Sequence, residues 1–385
     1  MLNTRLQHLL SLVLLCSSLV SGVYAAPTFA AVPAPPKLNV GSYILIDFDS
    51  GSILADYNSD ERAEPASLTK IMTSYVAADA LASNAIKLSD VTTVSEKAWR
   101  MEGSRMFIEV NKQVSVDELL QGIIIQSGND ASVAMAEFVS GSEEVFASVM
   151  NQHAGRLGLM STSFANSTGL PDPGTYTTAR DLSVLAAVFI RDYPDIYQRF
   201  AEKNYTYAGI TQRNRNRLLT RDASADGFKT GHTEAAGYCL VSSARRDGMR
   251  LIAVVMGAES DSARTEASQT LLNYGFRFFE SRKIYAVGDV VATAKVWKGV
   301  ADEVSVGVEE ELHIVIPRGK YGEVKASAEI TESVVAPFDS GQPLGSVVLM
   351  LGGREVASVP LVANRGIAQA SLFSRAVDEV MMRLE

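Results

Sequence analysis

Apolar and polar positions alternate along the chain with two different periods. Residues 42–48 form an apolar run, Asp49-Ser50-Gly51 supply turn chemistry, and residues 52–57 return as a second strand. From residue 67 to 82 the spacing becomes helical, with Ile71, Val76 and Ala80 at apolar positions and Pro65 just upstream. Residues 116–126, 131–140, 145–157 and 178–191 keep the helical period. Strand patterns return at 227–233, 237–244 and 250–257, with Asp247-Gly248 where a hairpin turn belongs, and residues 262–281 close as a helix. Strands at both ends of a helical middle, meeting in one sheet, predict an α+β domain over residues 38–283.

From residue 284 the helical period is lost. Short alternating stretches at 289–296, 311–316 and 346–351, separated by Gly and Pro, predict a small all-β domain over residues 284–363. Residues 364–385 then regain helical spacing through Phe373, Val377, Val380, Met381 and Leu384, as an amphipathic C-terminal helix. At the other end, residues 1–25 read as a signal peptide. Arg5 precedes an apolar core at 9–15, and Val23-Tyr24-Ala25 gives a small-x-small cleavage site. The core is short for a membrane span. Residues 26–37 hold Pro27, Pro33, Pro35 and Pro36 and read as an extended linker.

Composition narrows the function. Removal of the signal peptide, which contains Cys16, leaves Cys239 as the sole cysteine and excludes an intramolecular disulfide. An exported chain without such staples relies on its hydrophobic core, and a mature length of about 360 residues is ample for one. The net charge is −9, from 44 acidic and 35 basic residues, which argues against a nucleic-acid partner. Four histidines (His8, His153, His232, His313) are scattered with no His-Glu-x-x-His pattern, so neither a metal nor another cofactor is expected.

Three short signatures remain: Ser67-Leu68-Thr69-Lys70, Ser127-Gly128-Asn129 and Lys229-Thr230-Gly231. A Ser-x-x-Lys alone is expected about once by chance in such a chain. At a helix start it sets residues i and i+3 on one face, so Lys70 can approach the Ser67 hydroxyl. A serine needs a base to become nucleophilic, and a lysine is a base only when neutral, which burial or a nearby cation promotes. Lys229 is the cation the pattern offers. Ser127 falls between predicted helices, where it can relay a proton to a leaving group, with the Asn129 amide holding substrate and orienting Lys70. Gly231, without a side chain, lets a peptide lie along the strand edge, and Lys229 and Thr230 can then take a terminal carboxylate. The backbone N–H groups of Ser67 and His232 are placed to receive an oxyanion. His232 reads as a site-lining residue and His153 as structural.

The ordered triplet is a known signature of penicillin-interacting serine enzymes. The chain resembles low-molecular-weight penicillin-binding proteins of the serine-type D-alanyl-D-alanine carboxypeptidase family. The likeness runs from about residue 42 into the β domain and includes Asn166-Ser167-Thr168-Gly169-Leu170-Pro171 and Thr178-Ala179-Arg180-Asp181-Leu182. It implies a serine β-lactamase/transpeptidase-like fold, with an antiparallel sheet and a helical subdomain. It also implies Ser67, Lys70 and Ser127 as catalytic residues, with Asn129, Lys229, Thr230, Gly231, His232 and Arg264 binding substrate. Peptidoglycan pentapeptide stems are the implied substrates and β-lactam antibiotics the covalent inhibitors. The implied place is the periplasm or the outer face of the cytoplasmic membrane, with peripheral inner-membrane contact through the C-terminal helix. No Glu-x-x-x-Asn lies between Asn129 and Lys229, so slow release of bound penicillin is expected. A D,D-endopeptidase and a non-catalytic cell-wall-binding protein are the alternative readings.

Overall fold

The computed structural model describes residues 32–384. The signal-peptide reading, and the linker as far as residue 31, lie outside the described residues. Residues 33–37 have no regular secondary structure, yet the carbonyls of Pro33 and Pro36 accept hydrogen bonds from Tyr274 (2.8 Å) and Tyr43 (3.1 Å). This part of the proline-rich stretch is tied to the fold and does not stand away from it.

The two predicted strand units form one antiparallel sheet. Its strands are β1 (Ser42–Asp47), β2 (Ile53–Tyr57), β3 (Ala225–Thr233), β4 (Gly237–Arg246) and β5 (Met249–Ala258), in the order β2-β1-β5-β4-β3. β1 pairs along its whole length with β5, from Ser42↔Met256 to Asp47↔Leu251, so the two ends of the domain are knit at the sheet centre. β3 is left at one edge.

The helical middle holds α1 (Thr69–Ala82), α2 (Asn129–Ser140), α3 (Glu143–Arg156) and α4 (Ala179–Asp192). Side chains at Ser142 and Thr178 cap α3 and α4 by accepting from the N–H groups of Val145 and Asp181. α1 is buried from Thr69 to Ala78, and Ile71, Met72 and Val76 share a core with Phe146, Met150, Phe189, Ile252 and Val254. A helix enclosed on every side shows little amphipathic contrast. The predicted helix over 116–126 divides into an α-helix at Val116–Gln121 and a π-helical turn at Gly122–Gln126, which ends on Ser127 at φ +63°. Such turns recur at functional sites.

α5 (Asp261–Phe278) covers β4 and β5, capped by the Ser260 hydroxyl. It ends three residues short of the predicted 281, because residue 279 begins a strand. That strand, β6 (Phe279–Tyr285), precedes β7 (Ala292–Trp297), β8 (Glu303–Gly307), β9 (Leu312–Pro317), β10 (Val324–Ile330), β11 (Val334–Val335), β12 (Pro343–Leu351) and β13 (Arg354–Ala363). β6 pairs with β9, and the others form a sheet in the order β10-β12-β13-β8-β7-β11. The fold is thus α+β followed by an all-β domain and a last helix, α6 (Leu372–Met382). Among the described residues no helix is long and apolar enough to cross a membrane.

Candidate active site

One tight turn supplies a hydroxyl and an amine. Ser67 lies in the 3-10 turn Ala66–Leu68 that leads into α1, and Lys70 is the second residue of that helix. Lys70 Nζ stands 3.2 Å from Ser67 Oγ. The turn is strained, since Ala66 adopts φ +47°, in the left-handed region. Gly169 packs against it so closely that a Cβ there would lie 1.8 Å from the Ala66 carbonyl oxygen. The 166–170 loop is folded by Asn166, whose Oδ1 accepts from Thr168 N, Thr168 Oγ1 and Gly169 N.

Lys70 has no exposed surface. Besides Ser67 it donates to Asn129 Oδ1 (2.7 Å) and to the Thr168 carbonyl (2.6 Å), both of which can only accept. A neutral amine suits these three partners, with two N–H bonds to the carbonyls and the lone pair towards the Ser67 hydroxyl. Burial first and then the Arg215 guanidinium lower the Lys70 pKa to about 7, against the opposing effect of Asp130 and Glu143. Arg215 is thus a second cation acting on Lys70, beside the Lys229 that the sequence suggested. Lys229 is also buried and held well below the ordinary lysine value, by burial first and then by Lys70, Arg215 and Arg264. Its Nζ reaches the Thr230 carbonyl at 3.1 Å.

Ser127 is held by the π-turn in a left-handed conformation, and its buried Oγ has no partner. Asn129 opens α2, with its backbone N–H on the Ser104 carbonyl (2.7 Å) and its Nδ2 on the Glu102 carbonyl (2.6 Å). The next residue secures the same loop: Asp130 accepts from the backbone N–H groups of Met106, Phe107 and Ile108. The Thr168 carbonyl is anchored from behind, where buried Glu143 accepts from Ser167 N (3.1 Å) and Oγ (2.7 Å) and pairs with Lys97 (3.1 Å).

Strand β3 brings Lys229, Thr230, Gly231 and His232 to the opposite wall. A Cβ on Gly231 would meet the Pro65 carbonyl oxygen at 2.9 Å and Leu68 N at 3.2 Å. The missing side chain therefore admits the Ser67 turn, a constraint in addition to the substrate clearance expected from sequence. His232 is exposed and lies over Tyr238, with ring centroids 3.9 Å apart. Arg264 on α5 is buried. One of its Nη atoms bonds the carbonyls of Gly231 (2.9 Å) and Cys239 (3.2 Å), the other pairs with Asp261, and its Nε is buried without a partner. It straps β3 to β4, and Nε is what it has left to offer a ligand. His153 is buried on α3 with its ring edge to Tyr75, and burial and Arg156 lower its pKa. That fits the structural role read from sequence.

Ser67, Ser127, Thr230, Gly231, His232 and Arg264 line one open cleft of about 990 Å³. Asn129, Lys70 and Lys229 are buried and do not line it, and Lys70 reaches it through its contact with Ser67. Arg215 and Ser104 line the same cleft and were missed from sequence. The signal for Arg215 was legible in Arg213-Asn214-Arg215-Asn216-Arg217, a cationic run in an acidic chain. Glu143 and Thr168 act through a backbone loop and leave no comparable mark. Among the described residues no cluster of His, Cys, Asp or Glu could hold a metal ion.

Comparison with known proteins shows the family of both domains. Residues 29–260 match the D-alanyl-D-alanine carboxypeptidase family, and residues 279–369 match the C-terminal domain of penicillin-binding protein 5. D-alanyl-D-alanine carboxypeptidase DacC of Escherichia coli is 42% identical, over 95% of this chain and 96% of that protein. DacA of Haemophilus influenzae is 41% identical over 91% of each. The crystal structure of penicillin-binding protein 5 from Haemophilus influenzae superposes with a TM-score of 0.86 at 41% identity, covering 88% of this chain and all of that one. Ampicillin-bound penicillin-binding protein D2 of Listeria monocytogenes gives 0.58 at 27% identity, over 63% of this chain and all of that one.

Proposed function

The chain belongs to the D-alanyl-D-alanine carboxypeptidase family, and we propose that it removes the terminal D-alanine of peptidoglycan pentapeptides through an acyl-enzyme on Ser67. The observation that carries the assignment of the nucleophile is the buried Lys70 amine, 3.2 Å from Ser67 Oγ and flanked by two carbonyl acceptors. Lys70 takes the hydroxyl proton as Oγ attacks the penultimate D-Ala carbonyl carbon. The N–H groups of Ser67 and His232 receive the oxyanion, a contribution worth on the order of 10²–10³ in rate per donor in other enzymes. As the C–N bond breaks, the proton passes from Lys70 through Ser127 to the departing D-alanine nitrogen. Water then attacks the ester with Lys70 again as base, releasing the shortened peptide and restoring the serine.

Thr230, Lys229 and Arg215 bind the terminal carboxylate, and Arg264 positions the strand that carries them. An arriving anion favours the charged form of Lys229, so substrate binding itself restores a cation that the empty site disfavours. β-Lactams occupy the same position and acylate Ser67. The non-catalytic reading leaves a buried, neutralised lysine without purpose, and the endopeptidase alternative is not favoured by the relatives. Mass spectrometry of a D-Ala-D-Ala-terminated peptide tests the proposal: one D-alanine is lost with the wild type and none with Ser67→Ala.

This substrate lies outside the cytoplasmic membrane, so the reading includes export directed by residues 1–25. It also includes peripheral membrane contact by α6. Asp378 and Glu379 of that helix turn back to Lys298, at 2.5 Å each, while Leu372, Phe373, Val377, Val380, Met381 and Leu384 are exposed. Docking on the β domain thus engages acidic side chains and leaves the apolar row outward, as an interfacial helix needs.

A further inference from the structure

The active-site cleft has a cationic wall of which the chemistry above uses only Arg215. Lys203 and Arg213 line the cleft together with Arg215 and Asn216. They sit at the base of a hairpin whose strands, Asn204–Tyr207 and Ile210–Arg213, pair Asn204 opposite Arg213, while the Lys203 carbonyl accepts from Asn214 N. The base is a firm mount. Asn214 Nδ2 bonds the carbonyls of Phe200 (3.3 Å) and Glu202 (2.9 Å), and Gln212 bonds the carbonyl of Arg105 (3.2 Å) beside Ser104.

Two observations make this wall a binding surface and not merely a solvated one. The other arginines of the cleft, Arg217 and Arg264, already share a carboxylate partner in Asp261. Lys203 and Arg213 have no ion-pair partner among the described residues, in a chain whose net charge is −9. In addition, Asn216 is 2% exposed and its Nδ2 is a buried donor without an acceptor. Donors predominate on this wall, and what they lack is an anion.

We propose that Lys203 and Arg213, with Asn216 Nδ2, form a second anion subsite that selects substrates carrying a carboxylate upstream of the scissile bond. The proposal rests on the carboxypeptidase reading and deepens it. Ser67 and Thr230 take the D-Ala-D-Ala end, and the remaining length of the cleft takes an acidic residue of the same peptide. The subsite discriminates a charged side chain from its amide, because the amide brings no charge to the two cations Lys203 and Arg213.

Two peptides ending in D-Ala-D-Ala test this, identical except for glutamate or glutamine two residues before the first D-Ala. On the full chain at low ionic strength, kcat/KM for the glutamate peptide is expected to exceed that for the glutamine peptide by about tenfold. In Lys203→Ala/Arg213→Ala that ratio should fall close to one. The wild-type ratio should also shrink in 0.5 M salt, which needs no variant to fold. An equal rate on both peptides in the wild type, or a preference that persists in the double variant, would overturn the subsite alone. Hydrolysis of neither peptide would overturn the carboxypeptidase reading and the subsite with it.

Discussion

At Lys70 the folded chain encloses an amine between two carbonyl oxygens and a hydroxyl. Because the base must be neutral to act, kcat/KM should rise with pH through an acid limb near 7, the value to which burial and Arg215 bring this lysine. Replacing the cation by a neutral side chain in Arg215→Gln raises the Lys70 pKa, so the limb should move to higher pH, by about one unit. KM should rise as well, since the same guanidinium lines the cleft and is proposed to bind the substrate carboxylate. A pH–rate profile separates the two effects, and an unmoved limb would show that Arg215 acts on binding only. The nucleophile–base pair was plain in the sequence because its spacing is local and a helix start fixes its geometry. Arg215 was not, because its approach to Lys70 depends on how a distant hairpin folds back.

The Asn166–Leu170 loop and the Ser67 turn behave as one element. Gly169→Ala introduces a Cβ 1.8 Å from the Ala66 carbonyl oxygen, at a φ of +76° that already disfavours a side chain. The loop must withdraw, and the Thr168 carbonyl with it. A stability loss of about 3 kcal/mol or more is expected by thermal or urea unfolding, with penicillin acylation slowed at least a hundredfold. Ala66→Gly is the matching control. It relieves a left-handed alanine and should leave unfolding stability unchanged or raise it by up to about 1 kcal/mol. The long helices and the strands of the central sheet were legible, since their periodicity reflects burial on one side, whereas the short hairpin at 204–213 was not. The π-turn before Ser127 was not, because Gly122–Gln126 carries a helical pattern and only packing widens its hydrogen bonding. Gly231 was singled out for letting a substrate backbone lie along the strand edge; its close contact with the Ser67 turn is an additional, long-range constraint that no local pattern encodes.

Across the whole molecule, two buried lysines leave a signature in stability. Lys70 and Lys229 both have folded pKa values below those of the unfolded chain. Between pH 7 and 9 the unfolded state therefore binds more protons, and unfolding free energy should increase with pH. Lys70→Met should reduce that slope by up to about 1.4 kcal/mol per pH unit, measured by urea denaturation across the window. Above pH 10 the raised tyrosine pKa values, such as that of Tyr75 at about 12, reverse the trend. At the C-terminal end, deletion of residues 366–385 should shift the protein from the membrane to the soluble fraction, and unchanged partitioning would remove α6 as an anchor. The central claim is that an uncharged Lys70 amine turns the Ser67 hydroxyl into an acyl acceptor. Its most direct test is labelling of the wild type, Ser67→Ala and Lys70→Met with a fluorescent penicillin, followed by peptide mapping of the adduct. A covalent adduct on Ser67 in the wild type, absent from Ser67→Ala and strongly reduced in Lys70→Met, is the predicted result; an adduct that forms equally in all three proteins would contradict it.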